Sequence, residues 1–548
     1  MKIFEKESHL IIALVLFSAF IFMIGLGRMP LTDPDEVFYA QTAKEMLERG
    51  ELLTPLIFGK PQFEKPPLFY WLVLGSFKIL GINEFAARIA SAILGILGAL
   101  GTYLLGKALI SRRAGILAGL VLATSFNYIA LARACVTDMA LCVFFLFGFL
   151  FFFYGLLSSS GKRPWFLLSA AIFGLAVLTK GPIGIFFPVL IIGLYLISTR
   201  EIKRLKEIPV FWGTIVLLAV SAPWYILMYK AHGKEFIDLF FGFHNVIRFL
   251  EPEHRLGDVF YYYLPILIGG FAPWVAFLPL SIWQNLKEKD RRRRNAGIFL
   301  ITWFLTIFLF FSFSRTKLPT YIFPIYPALA LLVGYLLDTF MKRRLSHRIE
   351  RWMQASFALF FISIIAGVVG FAIFAGIRYP AAALVSSITG GVFIVLMGLS
   401  LAFVYRKEYL KGLCAFMISF ALFTIPLSCT VLPEIGIYES SKIESERLLE
   451  FADPGEGLGA ETQYRRGVAF YTDRIDVLDV HRHHIITGFL DRDERVWCVI
   501  KRKNHDQLYT DRDRPYNKTT YVVYELGKKV IVTNRLPESG KFIRKKTP

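Results

Sequence analysis

The chain has little charge. Only 19% of its 548 residues are Asp, Glu, Lys or Arg, and 55% are hydrophobic, which is too apolar for a soluble protein of this length. Cysteine is also scarce. The five present include no CxxC pair, which excludes a disulfide framework and a thiolate metal site. No Gly-rich phosphate loop occurs, so no nucleotide or soluble cofactor is expected. Internal repeats and low-complexity segments are lacking. Acids are the rarer charge, 42 against 62 bases, for a formal balance of +20. In a soluble chain that excess would point to nucleic acid. Here it sits in short connections between apolar runs, so membrane topology accounts for it and no nucleic-acid partner is expected.

What the chain does have is long apolar runs. About thirteen are of a length to span a bilayer: 10–27, 89–109, 114–132, 139–157, 165–179, 181–198, 208–229, 259–283, 296–314, 321–337, 357–377, 381–405 and 410–432. The fifth is short, and "TKGPIG" separates it from the sixth. The first has no small-residue cleavage site and reads as a retained helix. Basic clusters follow every second run: Arg112–Arg113, Lys162–Arg163, "REIKRLK", "KEKDRRRR", "KRRLSHRIER" and "RKEYLK". That alternation predicts a cytoplasmic N-terminus and, with an odd number of spans, an external C-terminus. The expected fold is a polytopic α-helical membrane protein with about thirteen transmembrane helices. Residues 1–435 form the membrane domain. Residues 436–548, charged and without a spanning run, form a small external α/β domain. In it 439–452 reads as a helix, and 467–480, 494–501 and 520–533 as strands.

The first external loop, residues 28–88, opens with three carboxylates in four positions: Asp33, Asp35 and Glu36 in "DPDEVFYAQTAKEM". The stretch reads as a helix capped by Asp33, with Pro34 in its first turn and Gly50 ending it. Phe38, Met46 and Leu47 suggest an apolar stripe on the bilayer surface. The other external segments add Glu64, Lys65, Asp138, Lys180, His244, Asn245, Arg248, Arg255, Arg315, Lys317 and Tyr321. Charges at span ends face a cavity or pair with one another. Acids together with several cations suit transfer from a phosphate-linked donor: cations neutralise the leaving phosphate, and an acid orients or deprotonates the attacking group.

Each residue has a structural reading as well. Asp33 and Asp138 read as helix caps, Asp35 as a carboxylate favoured by the helix dipole, and Glu36 as a salt-bridge partner of Lys65. Lys65 can snorkel to headgroups, although the two prolines after it stiffen its backbone. Glu64 can neutralise Lys65, and Lys180 can pair with a nearby acid. His244 and Arg248 stand four apart, one helical face if that segment is helical. Arg248 suits a phosphate clamp, while Glu64 with His244 is the candidate metal site, although a lone His is usually no ligand. Arg315, Lys317 and Tyr321 read either as headgroup anchors or as phosphate-recognising groups. A lipid or sugar-lipid transporter is the rival from another class. Transporters place charges near the bilayer midplane in broken helices, often with repeats, whereas these charges cluster at one face.

The motifs "DPDEVFYAQTAKEML", "GKPQFEKPPLFYWL", "GINEFAARIAS", "LTKGPIG", "APWY", "HNVIRF" and "SRTKLPTYIFPIYPALALL", in this order, resemble the lipid A aminoarabinose transferase (ArnT-like) family. That family is related to the protein O-mannosyltransferases of the GT-C superfamily. The resemblance covers residues 25 to 340 and weakens beyond. It implies an inverting glycosyltransferase of the bacterial inner membrane that uses a polyprenyl-phosphate-linked sugar at the periplasmic face, with lipid A, a related envelope acceptor or a protein as acceptor. It implies Asp35 and Asp138 as the acids of the site, and Lys65, Arg248 and Tyr321 as its cationic and phenolic groups; beside these, Glu36 is expected as a further catalytic residue, Lys317 as a further donor-phosphate ligand, and Tyr39, Lys180 and Arg315 as substrate contacts. Zinc at Glu64 and His244 is the one metal it implies. One departure stands out: the family often has Arg before the first-motif Tyr, and this chain has Phe38 before Tyr39.

Overall fold

The computed structural model describes residues 7–247, 259–342, 347–510 and 515–536. They divide into two compact units. One comprises residues 1–26, 63–72 and 88–427, the other 27–62, 73–87 and 428–548. Most of the first external loop therefore belongs with the tail, a grouping that crosses the boundary expected at residue 435.

The first unit is helical and spans a membrane. Nine helices among the described residues are long and apolar enough to cross a bilayer, and eleven spans result if each of two bent pairs counts as one. Reaching thirteen requires the shorter apolar helices Glu7–Met23 and Ile183–Ser198 to cross as well. All thirteen apolar runs of the sequence fall on one of these elements. The bent pairs are Arg112–Ala123 with Phe126–Ala132, turning by 70°, and Phe260–Gly270 with Trp274–Leu286, turning by 108°. Broken helices free backbone groups that lipid cannot satisfy. Here the two breaks satisfy each other: Phe126 N–H donates to the Ala272 carbonyl at 3.2 Å, and Trp274 Nε1 donates to Thr124 Oγ1 at 3.0 Å.

Lipid tails are as apolar as a Leu side chain, so packing shape holds such helices together. Aromatic rings do much of this. Phe149 lies 4.7 Å from Trp303, 5.3 Å from Phe299 and 5.6 Å from Phe173, which ties the helices Asp138–Leu157, Lys162–Lys180 and Arg291–Phe313 together.

The second unit holds a two-stranded hairpin, β1 (Leu56–Ile57) and β2 (Lys60–Pro61), and a five-stranded sheet. The sheet strands are β3 (Gly457–Ala460), β4 (Leu478–Asp479), β5 (Val496–Lys501), β6 (Tyr521–Leu526) and β7 (Lys529–Thr533), in the order β4-β3-β5-β7-β6. The pairs β4–β3 and β3–β5 are parallel; β5–β7 and β7–β6 are antiparallel. In β5, Val496, Cys498 and Ile500 enter one apolar cluster while Trp497 and Val499 enter another. A strand buried on both faces needs an unbroken apolar run, and "VWCVI" is one.

One expected strand is a helix. Residues 467–472 belong to the helix Thr462–Thr472, and only Leu478–Asp479 of the 467–480 stretch is extended. A short apolar run such as "GVAFY" fits either structure by periodicity alone. The helix is favoured because its apolar side lands on β3 and β5: Val468 and Ala469 share a cluster with Leu458, Trp497 and Val499.

The first-loop helix Asp35–Arg49 also lies in this unit, ended by Gly50 at φ +66° as the sequence indicates. Its beginning differs from expectation. Pro34 is the N-cap residue and offers no side-chain bond. Asp33 turns away to accept a hydrogen bond from Ser441 Oγ at 2.5 Å. Glu36 does the local work, accepting from Thr32 N and Thr32 Oγ1, both at 3.0 Å. The helix is no bilayer-surface stripe either. Every residue from Glu36 to Met46 is buried, and the helix Thr462–Thr472 covers one side. Lys44 Nζ donates to the Phe470 carbonyl at 3.1 Å and pairs with Asp473 at 2.6 Å, and Arg466 stacks on Phe38 at 4.6 Å. The fit is close at Gly467, where an added Cβ would come within 2.3 Å of Asp33 Oδ1. Gly467→Ala is expected to cost about 1–3 kcal/mol, as overpacking does in a filled core; thermal unfolding of the purified full chain measures it.

Candidate functional site

Two helix ends meet in the membrane unit. Asp138 is the first residue of Asp138–Leu157, and Lys180 is the last of Lys162–Lys180. A carboxylate is favoured at a helix N-terminus and an ammonium at a C-terminus, so both helices gain from the pair. Lys180 Nζ donates to Asp138 Oδ1 at 2.6 Å, and the two side chains are 11% and 8% exposed. Asp138 thus engages a cation of another helix. The same ammonium lies 5.3 Å from the ring centroid of Tyr321, within cation–π range.

Tyr321 belongs to the short 3-10 helix Pro319–Ile325. Its ring packs on Phe311 at 4.9 Å. Tyr263, fully buried, donates to the Leu318 carbonyl at 3.2 Å and so steadies the stretch that carries Lys317 and Tyr321. Within that stretch Arg315 is exposed, while Thr316 and Lys317 are buried, Lys317 being 6% exposed. No ion pair joins Lys317 to a described carboxylate. Lys65 and Glu64, both half-buried, belong to this unit as well, directly after Phe63, which packs edge-on against His232 and Phe236.

The other group of acids is in the second unit. Asp35 is exposed at the first helical position, and Tyr39 is buried one turn on. Arg466 contributes something that sequence reading missed: it places a guanidinium on the Phe38 ring, beside Tyr39 in the first motif. Its only signal is its place in a basic pair, "YRRG", in the tail.

Asp33 has an environment of its own. As a residue it is only partly covered, but its Oδ1 is shut off from solvent and accepts no hydrogen bond. Burial pushes its carboxyl up from 3.8 to about 7, with Glu444 adding to the rise and Ser441 and Lys529 opposing it. The folded protein therefore keeps a proton that the unfolded chain has already lost in this range. This contribution to stability is fully present below about pH 4, declines as pH rises and is gone above about pH 7. Asp33→Asn is expected to remove that slope, so its melting temperature should gain on the parent between about pH 5 and about pH 8. Parallel profiles of the two proteins would contradict it.

Arg248 and Arg255, and the side chains of His244 and Asn245, lie outside the described residues. Among the described residues no group of three or more His, Cys, Asp or Glu side chains is arranged to hold a metal, and the expected zinc at Glu64 gains no support.

A model of the dolichyl-phosphate-mannose-protein mannosyltransferases matches residues 9–237. An uncharacterized protein of Aquifex aeolicus (strain VF5) is 32% identical over 335 residues, 61% of this chain and 74% of its own. The undecaprenyl phosphate-alpha-4-amino-4-deoxy-L-arabinose arabinosyl transferase 2 of Proteus mirabilis (strain HI4320) is 30% identical over 330 residues, 59% of this chain and 58% of its own. The chain spans 62% and 58% of the first two curated relatives it matches. The crystal structure of ArnT from Cupriavidus metallidurans in the apo state superposes with a TM-score of 0.79 at 25% identity, covering 96% of this chain and 97% of that one. The order of the motifs, the helical membrane unit with its small sheet-containing partner and these likenesses agree: the chain belongs to the ArnT-like family of the GT-C glycosyltransferase superfamily.

Proposed function

We propose that this protein is an inverting membrane glycosyltransferase that moves a sugar from a polyprenyl-phosphate donor to lipid A or a related envelope acceptor. The acceptor oxygen attacks the anomeric carbon as the bond from that carbon to the donor phosphate oxygen breaks, and the electron pair leaves with the phosphate. Lys65, Lys317 and Arg248 neutralise the departing polyprenyl phosphate, and the Tyr321 hydroxyl donates a hydrogen bond to it. Asp35 and Asp138 orient sugar and acceptor, with Glu36 as a further catalytic residue and Tyr39, Lys180 and Arg315 as substrate contacts. A phosphate acceptor is already ionised and needs no base. A hydroxyl acceptor gives its proton to Asp35.

The observation that carries this reading is the buried Asp138–Lys180 pair beside Tyr321, with Lys317 buried nearby in sequence and joined to no described carboxylate. The names of the relatives suggest the donor class and 4-amino-4-deoxy-L-arabinose as the sugar. The reading includes a multi-pass protein of the inner membrane, with the carboxylates of the first loop and residues 436–548 on the periplasmic side. Basic connections after every second span support that orientation. The proposal routes no step through a metal.

The match to the protein mannosyltransferase model favours a second acceptor class, a protein hydroxyl. The test is reconstitution of the purified chain in liposomes with an undecaprenyl-phosphate aminoarabinose donor and lipid A, read by mass spectrometry. A lipid A species heavier by one aminoarabinose is the expected product. Sugar recovered on protein instead favours the second reading, and no transfer to either acceptor from aminoarabinose or mannose donors contradicts both. Adding a chelator to the same assay tests zinc: loss of transfer, restored by zinc, would bring Glu64 and His244 back as ligands.

A further inference from the structure

A polar cavity lies within the membrane unit, and none of the residues assigned to the transfer reaction lines it. Its volume is about 350 Å³. Several span ends meet around it: Ser111 at the start of Arg112–Ala123, Trp283 to Lys289 after a bent pair, Arg293 at the start of Arg291–Phe313, and Tyr335 to Lys342 at the end of Pro319–Met341. These connections are among the short, basic ones.

Four cations line the cavity, Lys287, Lys289, Arg293 and Lys342, against two acids, Glu288 and Asp338. Both acids are turned to protein donors. Asp338, 2% exposed, accepts from Ser111 Oγ at 2.9 Å and from Lys342 Nζ at 2.5 Å through Oδ2, and Arg113 Nε stands 3.8 Å from Oδ1. Glu288 accepts from the Tyr335 hydroxyl. Gln284 donates to Thr339 Oγ1 at 2.9 Å and closes the wall between them. The lining is thus internally bonded, with a surplus of positive charge. Its rim is apolar: Trp283 is 46% exposed, and Ile110 and Ile349 complete the edge. An exposed indole at a span end is the usual marker of the headgroup level.

We propose that this cavity, framed by Lys287, Lys289, Arg293 and Lys342, binds the phosphate headgroup of an anionic phospholipid. The cations take the phosphodiester oxygens, and the Trp283 rim accepts the upper acyl chains. Basic pockets between spans bind such headgroups, and the apolar rim favours a lipid over a soluble anion. The site does not depend on the proposed transfer activity.

The test uses the purified, delipidated full chain, with native mass spectrometry and thermal shift against cardiolipin, phosphatidylcholine and inorganic phosphate. Cardiolipin is expected to remain bound and raise the melting temperature; the other two are not. Lys287→Ala with Lys289→Ala should weaken cardiolipin binding about thirty-fold, at about a factor of five for each lysine removed near the surface. Both side chains are exposed, so the fold tolerates the change. The control is Lys203→Ala with Lys206→Ala, exposed lysines outside the cavity, which should bind as the parent does. Equal losses in both variants, or equal retention of phosphatidylcholine, would overturn the site. Inorganic phosphate shifting the melting temperature as much as cardiolipin would overturn the lipid assignment.

Discussion

Asp35→Asn is expected to slow sugar transfer about 10²–10³-fold, the range seen when one charge-stabilising group is removed from a pre-organised site. The substitution keeps the size and shape of the side chain and removes its charge. The bonds from Thr32 to Glu36 and from Ser441 to Asp33 remain in the variant and help to hold the turn. Asp35 itself is exposed at the first position of its helix and is not part of a buried core. A carboxylate there also gains from the helix dipole, so a small loss of stability, about 0.3–1 kcal/mol, should accompany the loss of rate. Initial rates and melting temperatures of parent and variant separate the two effects. The pH profile separates the acceptor classes. If Asp35 is a base for a hydroxyl, the variant loses the acidic limb of the profile; if it only orients a phosphate, the profile keeps its shape and drops uniformly. Unchanged turnover in a folded variant would remove Asp35 from the site.

Lys529→Ala is expected to destabilise the second unit by about 3–5 kcal/mol, the usual cost of breaking a buried ion pair from one side. Lys529 is 2% exposed and Glu444 is fully buried. Lys529 Nζ donates to Glu444 Oε2 at 2.9 Å and also to the Ser440 carbonyl. One ammonium therefore serves two acids, since Asp33 also feels its charge. Burial raises both carboxyls, that of Asp33 to about 7 and that of Glu444 above its usual range. Without Lys529, Glu444 is left buried with no cation. Lys529→Met with Glu444→Leu should recover most of the loss, because an apolar pair of similar volume avoids the desolvation cost. Equal melting temperatures for the single and double variants would show that the pair is not what holds this region.

The membrane architecture was legible because its signal is local. Each apolar run is read within about 20 residues, and every one of the thirteen falls on a helix or a bent pair. The β5 strand was legible for the same reason. What could not be read was pairing at a distance. Asp138 and Lys180 are 42 positions apart, and each alone looks like an ordinary helix-end charge. Asp33 looked like a cap because Asp before Pro at a helix start normally is one; its partner Ser441 stands 408 positions away. The helix Thr462–Thr472 was misread as strand because only its landing place on the sheet, and against Asp35–Arg49, decides between two local options. Periodicity said little about the bends, because Thr124 and Trp274 brace each other from separate spans.

The 408 residues between Asp33 and Ser441 also set an order of events during synthesis. The helix Asp35–Arg49 leaves the ribosome more than 400 positions before Arg466, Phe470 and Asp473, which receive its Phe38 and Lys44. At typical elongation rates the wait is roughly 20–80 s. Through that interval the nascent chain carries an unfinished loop, and only the helix Thr462–Thr472 and Asp473 complete it. A chain truncated before residue 462 would insert its spans and still lack this cover.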